Sequence, residues 1–436
     1  MGPDAHSITK NQAVQLWATL GEEGKAPTEL ISASHVLPSY SVAIDPWIDR
    51  LAERYLQELC RGASHFKLVI APYGGGKTHF LLALGARALK ENFAAAYVPC
   101  GEGVSLDNPI AVYSEFVKHL QLPGESGPGL RRFIEQVVRT KREEIAMRGA
   151  PDVDAAFRRW IDQIRRKDYP ENAFGRVMAA ALMGVDDPVA SPVGEAAMRW
   201  LQSEVDTLTR DEMSELRLAR VPAGNRKQFG RNLLLSFIKF IPETGVHGLV
   251  LLIDEVETLF TARGRALLRV LAAMRVLLDV PTGVPGGLPM LGVFSAVPDV
   301  LDQLSKYPAL DQRLAVRGAT FPEGNDLATQ LPLEKVESQN SLLAGVGRKL
   351  IEVGRLATGH PFDGDLQAAN ATLLAQIATS RNLDIDARRI YVKTWVGLLN
   401  LQSIEGEREL SSEELSQRYQ GHFESLRNTD SEGFEA

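Results

Sequence analysis

Two apolar patterns divide the chain. Residues 66–70, 93–99, 248–253 and 290–295 are short and almost continuously apolar. Such runs suit strands covered on both faces, the condition of a parallel sheet. Elsewhere apolar residues recur at helical spacing. Trp47, Leu51, Tyr55, Leu56 and Leu59 predict a helix over 47–61, and another is predicted over 78–91 between the first two strands. That order makes a βαβ unit, with parallel strands and a right-handed crossover.

The period is helical from about 109 to 240, broken by Gly- and Pro-rich stretches at 123–129, 149–151, 187–194 and 221–224. A further helix carrying Leu267, Leu268, Val270, Leu271, Met274 and Leu278 follows the third strand, and a loop over 281–289 precedes the fourth. Three helical stretches after about 335 end near Leu401. The pattern predicts a turn-rich extension at 1–45 and a core at 46–330 with a helical insertion at about 109–240. A helical lid at 331–402 and a charged tail at 403–436 complete it, the last dozen residues having the composition of disorder. No internal repeat is visible.

The candidate chemistry sits at strand ends. Ala71-Pro72-Tyr73-Gly74-Gly75-Gly76-Lys77-Thr78 follows the first strand and opens a helix. It fits GxxxxGK[ST] except that Ala71 replaces the first glycine. Glycines let backbone N–H groups wrap phosphates, the lysine reaches the outer phosphates, and the hydroxyl ligates Mg²⁺. A Gly-rich turn with an exposed lysine is the bland alternative, and the strand–loop–helix context argues against it. The third strand ends in Asp254-Glu255. Two acids there can simply cap a helix. Paired with the upstream loop they read as a magnesium ligand, Asp254, and a water-polarising base, Glu255. Glu257 and Thr258 read as capping or packing residues.

Ser295 ends the fourth strand, where a polar side chain can sense the γ-phosphate; a serine at a strand end is also commonplace. Arg313 can reach a neighbouring subunit's phosphate as an arginine finger or pair on the surface with Asp311 or Asp302. Arg388 and Arg389 open the last apolar helix, and Arg388 is the candidate lid arginine; a solvated first turn is the alternative. Tyr73 and His79 complete the expected nucleotide contacts.

Composition narrows the setting. The 436 residues are 44% hydrophobic and 24% charged, the balance of a soluble globular protein, and the length suggests two or three domains. A net charge of −7 excludes a whole-chain attraction to nucleic acid. Local exceptions are the basic helices at 131–167, where Arg158, Arg159, Arg165, Arg166 and Lys167 lie opposite an apolar face of Phe157, Trp160, Ile161 and Ile164; they form either a solvated face or a DNA-backbone or acidic-partner contact. Two cysteines, Cys60 and Cys100, give no disulfide framework or zinc pattern. No charged-then-apolar leader and no apolar run of ~18 residues are present, so a cytoplasmic protein is expected.

The order of these motifs resembles the ATP-binding proteins of the bacteriophage exclusion (BREX) systems, AAA+-like ATPases near the origin-recognition group. The residues that carry it are Tyr73-Gly-Gly-Gly-Lys-Thr-His-Phe-Leu81, the Asp-Glu-Val-Glu-Thr-Leu run from Asp254, and Gln312-Arg313-Leu314, over roughly residues 45–402. The resemblance implies a doubly wound α/β P-loop NTPase fold with a lid, ATP with Mg²⁺, and work beside a helicase, methyltransferase or nuclease, while an arginine finger at Arg313 requires neighbouring subunits and so predicts a homo-oligomer. An energy-coupling ATPase is the leading expectation and a nucleotide-gated scaffold the second. A DNA-binding initiator or loader ranks last, because the charged stretch after Leu401 is too short for a winged-helix domain.

Overall fold

The computed structural model describes residues 8–24, 36–101, 103–124, 127–186, 192–261, 264, 267–272, 274, 288–305, 307–308, 328–333, 338–380 and 387–432. The expected apolar runs form β1 (Ser64–Ile70), β2 (Ala94–Pro99), β3 (Leu249–Asp254) and β4 (Met290–Ala296), and a short β5 (Gln330–Pro332) joins them. All pair in parallel in the order β2-β3-β4-β1-β5. β4 thus lies between the strand that feeds the glycine-rich loop and the strand that ends in acids. Register sets Val69 and Leu252-Ile253 beside Val293–Ser295, so the C-terminal ends of β1, β3 and β4 meet along one edge.

Alternate residues of each strand feed two different cores, which explains why the runs are continuous. Leu68, Ile70, Ala96, Val98, Leu251, Ile253 and Phe294 face one side and join a single cluster with the helical stretch. That stretch comprises α4 (Pro109–His119), α5 (Leu130–Met147), α6 (Val153–Arg166), α7 (Phe174–Asp186), α8 (Pro192–Leu201), α9 (Arg210–Glu215) and α10 (Arg226–Phe240). It therefore lies against one face of the sheet, centred on Phe116, Phe133, Phe174, Phe237 and Phe240 in mutual ring contact. Within it, Phe157, Trp160, Ile161 and Ile164 are buried as the pattern of α6 requires.

Val69, Ala95, Tyr97, Val250, Leu252, Leu291 and Val293 face the other side. Here they meet α2 (Asp45–Leu51), α3 (Lys77–Lys90) and the three helices expected to form the lid, α12 (Gln339–Thr358), α13 (Gly364–Ser380) and α14 (Ala387–Glu405). α11 (Asp299–Ser305) follows β4. Close packing holds the lid: Gly347 lies so near α13 and α14 that a Cβ there would sit 2.2 Å from Tyr391 Oη and 2.8 Å from Ala371 Cβ. Trp395 Nε1 donates to Gly347 O at 3.0 Å.

Both ends of the described chain differ from the expectation of turns and disorder. α1 (Lys10–Glu23) carries Ala13, Leu16, Trp17 and Leu20 on its buried face and starts on a Thr9–Gln12 capping box. It ends at Gly24, whose φ of 66° closes the helix through Gly24 N–H to Leu20 O. α1 packs on the lid, with Trp17 Nε1 donating to Asn400 Oδ1 at 2.6 Å. At the other end α15 (Ser412–Glu432) is helical and buries Leu415 and Tyr419 against α13 and α14. High charge marked its outer face, and three or four apolar residues sufficed for the inner one.

Candidate functional site

The loop Ala71–Thr78 joins β1 to α3. Gly74 (φ 67°) and Gly76 (φ 87°) occupy the left-handed region, which only glycine adopts without strain. Gly75 is required for space: a Cβ there would lie 2.6 Å from Ala71 Cβ and 2.8 Å from Pro72 O. Ala71 itself is buried and is not among the positive-φ residues, so the departure from the glycine pattern costs the turn nothing. No side chain caps α3. Its first amides are thereby left for an anion or water.

Asp254, fully buried at the end of β3, gathers four donors. Thr78 Oγ1 and Tyr97 Oη donate to Oδ2 at 2.6 and 2.8 Å. Ser295 Oγ and the Glu255 N–H (3.0 Å) donate to Oδ1. The Glu255 N–H also reaches Ser295 Oγ at 3.2 Å. Ser295 therefore bridges β4 to the acids, an arrangement made possible by the strand order. Burial, then the adjacent Asp254, raises the Tyr97 phenol. Glu255 is exposed and holds φ 56°, an uncommon conformation for a residue other than glycine, stabilised by Thr258 N–H and Oγ1 donating to its carbonyl at 3.0 and 2.8 Å. The left-handed kink turns its side chain out of the sheet edge while Asp254 points in.

Lys77 is buried, and its Nζ donates to Ala71 O (3.2 Å) and Pro72 O (3.3 Å) and pairs with Glu257 Oε1 at 3.3 Å. The exposed Tyr73 ring lies 5.1 Å from the same ammonium. Its phenol is raised by burial and then by Glu257, Glu255 and Asp299. Burial, reinforced by Asp254, Glu255 and Glu257, pushes the nearby Cys100 thiol up to about 12. Asp254, Glu255 and Glu257 thus bring three carboxylates to the edge that holds Lys77.

Arg388, opening α14, donates from Nη1 to Gly75 O at 2.7 Å. Its neighbour Arg389 turns away to Glu23 O, at 2.7 Å. Of the two candidates, Arg388 is the one on the loop. His79 faces away from the loop's mouth: its Nε2 meets Ser41 Oγ at 2.7 Å and its ring stands edge-on to Tyr40. Burial, then the charges of Arg388 and Lys349, lowers its pKa to about 4. Lys349 of α12 donates to Ser41 O, so His79 ties α3 to residue 41 and the lid. Arg313 lies outside the described residues.

Two residues at this site escaped the sequence pattern. Tyr97 sits in an alanine-rich strand, where its hydroxyl was the only polar signal. Glu257 read as a cap, and its place on Lys77 follows from the 3₁₀ turn Val256–Thr261, which folds it back toward the loop.

The oxygens of Thr78 and Asp254, adjacent and already organised by other donors, suit a hard divalent cation. Among the described residues no cluster of three or more His, Cys, Asp or Glu is disposed to hold a metal. Basic residues of α5 and of the end of α6 are partly paired, exposed Arg131 with Glu195, half-buried Arg142 with Asp154 and half-buried Lys167, just after α6, with Glu243. Among the described residues no helix is long and apolar enough to cross a membrane.

The model of the BREX system ATP-binding protein BrxC/D family matches residues 37–419, which include the loop, the Asp254 hub and the lid. The chain belongs to this BREX family. No curated protein matches this BREX member by sequence. The Aeropyrum pernix ORC2 protein, solved as ADPNP–ADP complexes, is similar over 86% of this chain and 67% of that one, at 13% identity and a TM-score of 0.44, too distant to bear on any residue.

Proposed function

We propose that this BREX family member is a Mg²⁺-dependent ATPase. The observation that carries the reading is the convergence of Thr78, Tyr97, Ser295 and the Glu255 N–H on buried Asp254, beside a glycine loop whose lysine is directed inward. Lys77 engages the outer phosphates, and the α3 amides with Gly74–Gly76 cradle them. Thr78 and Asp254 would hold the Mg²⁺, which would supply charge neutralisation on the phosphate oxygens. Glu255, turned outward by its left-handed backbone, orients and deprotonates the attacking water. Ser295 couples the acids to β4, and Arg388 brings the lid to the loop. Arg313 acts from a neighbouring subunit in a homo-oligomer, and Tyr73 covers the loop.

The turnover drives a phage-defence assembly containing a helicase, methyltransferase or nuclease. DNA contact, where it occurs, is local to the helices at 131–167 and steeply salt-dependent. The lid contact also supports a second reading, a nucleotide-gated scaffold: Arg388 makes the lid's position depend on what occupies the loop.

The deciding experiment measures ATP binding and turnover of the purified chain beside Glu255→Gln. A general base contributes about 10²- to 10⁴-fold, so the variant is expected to bind ATP normally and lose turnover on that order. Equal turnover in the two proteins removes Glu255 from the chemistry, and a parent that binds ATP but performs in the assembly without hydrolysis establishes the scaffold.

A further inference from the structure

Glu257 has no part in those roles, yet it is an acid paired with the phosphate lysine. It lies in the 3₁₀ turn Val256–Thr261, directly after Asp254-Glu255, and is only 8% exposed. Oε1 pairs with Lys77 Nζ at 3.3 Å, and Oε2 is buried without a hydrogen-bond partner. A carboxylate so placed is costly unless a cation faces it, and Lys77 is that cation.

An ammonium has three N–H donors. Lys77 faces three oxygens here: Ala71 O, Pro72 O and Glu257 Oε1. A phosphate can gain this lysine only by taking one of those places. The two carbonyls are fixed by the backbone of the loop. The carboxylate is carried by a turn, and it repels a phosphate at the same cation.

We infer that Glu257 is a counter-ion gate: its carboxylate pairs with Lys77 and gives up that place to entering phosphates. Because Glu257 sits two residues beyond Glu255, its release rearranges the turn that carries the water-orienting acid. Nucleotide occupancy is thereby linked to the position of Glu255. The inference rests on the reading that nucleotide phosphates enter this loop.

The test is calorimetric titration of the full chain with the non-hydrolysable ATP analogue adenylyl imidodiphosphate and Mg²⁺, with melting curves of each protein alone and saturated. The parent, Glu257→Gln, Glu257→Met and Lys77→Ala are compared. A gate predicts that Glu257→Gln binds the analogue at least about tenfold more tightly, the order expected when one like-charge competitor at the same cation is removed. It also predicts a lower melting point for the empty variant and a larger analogue-induced rise. Glu257→Met keeps the length without the charge and is expected to tighten binding in the same way should the glutamine variant fail to fold. Lys77→Ala is expected to lose binding. A parent that binds while both neutral variants bind equally or more weakly overturns the gate and leaves Glu257 as a support for Lys77. A parent that does not bind the analogue removes the nucleotide reading and the gate with it.

Discussion

Tyr97→Phe isolates one bond of the Asp254 hub. The phenol is buried and donates to Oδ2 at 2.8 Å. Phenylalanine keeps the ring, so the packing of Tyr97 against the lid-side core is retained and only the donor is lost. A hydrogen bond to a charged group contributes about 1.5–3 kcal/mol. Thr78 still donates to the same oxygen at 2.6 Å, so the expected loss lies at the lower end, about 1.5 kcal/mol. The functional effect is larger when the cation and nucleotide draw on Thr78 and Asp254 together, because Tyr97 then becomes the protein donor that keeps Oδ2 aimed. Changing such an outer partner typically costs about 10- to 100-fold in metal affinity; Ser295 and the Glu255 N–H still hold Oδ1, which favours about tenfold. The assay pairs urea unfolding in EDTA with ATP turnover titrated against Mg²⁺. A variant that unfolds like the parent and half-saturates at the same Mg²⁺ concentration would falsify the role given to Tyr97.

Other perturbations probe the lid and the loop. Arg388→Ala removes a charge-assisted bond to Gly75 O and is expected to lower turnover at least about tenfold without unfolding the protein, since such a bond contributes about 1.5–3 kcal/mol; unchanged kinetics detach the lid from the site. Gly347→Val forces a side chain into Tyr391 and Ala371 and is expected to destabilise by about 1–3 kcal/mol or more, read as a fall in melting temperature. An unshifted melt means that the lid helices are not packed that closely. His79, held at about 4 against 6.5 for the free side chain, is neutral when folded. Its contribution is present above about pH 6.5 and is lost as pH falls toward 4, because the unfolded chain takes up the proton first. That difference sets an upper bound of about 3 to 4 kcal/mol on the effect. Stability measured in EDTA from pH 7 to 4 should therefore fall less steeply in His79→Phe than in the parent, and identical slopes refute the assignment.

The continuous apolar runs and the loop that follows β1 were legible because each rests on local chemistry: strands buried on both faces need no polar alternation, and wrapping phosphate needs glycines at fixed spacing. The sheet order was not legible, since nothing in β4 says that it inserts between β1 and β3. Ser295 gained its meaning only from that insertion. Likewise Tyr97 and Glu257 act through contacts that span the fold, Tyr97 to Asp254 across two strands and Glu257 to Lys77 across the sheet edge. α1 and α15 were underread for a different reason: their apolar stripes are narrow, and turn residues or charge around them dominated the composition. Arg313 was singled out by sequence alone and lies outside the described residues.

Consecutive residues at the start of α14 grip two separate parts of the protein, Arg388 the carbonyl of Gly75 and Arg389 the carbonyl of Glu23. Their backbones are joined by one peptide bond, so α14 acts as a yoke. A displacement that lifts Arg388 from the loop would also load the bond by which Arg389 holds the end of α1. Val14, 46% exposed on α1, rides at the far end of that lever. A fluorophore placed there would report, from the outer surface, the chemical state of a loop it never touches.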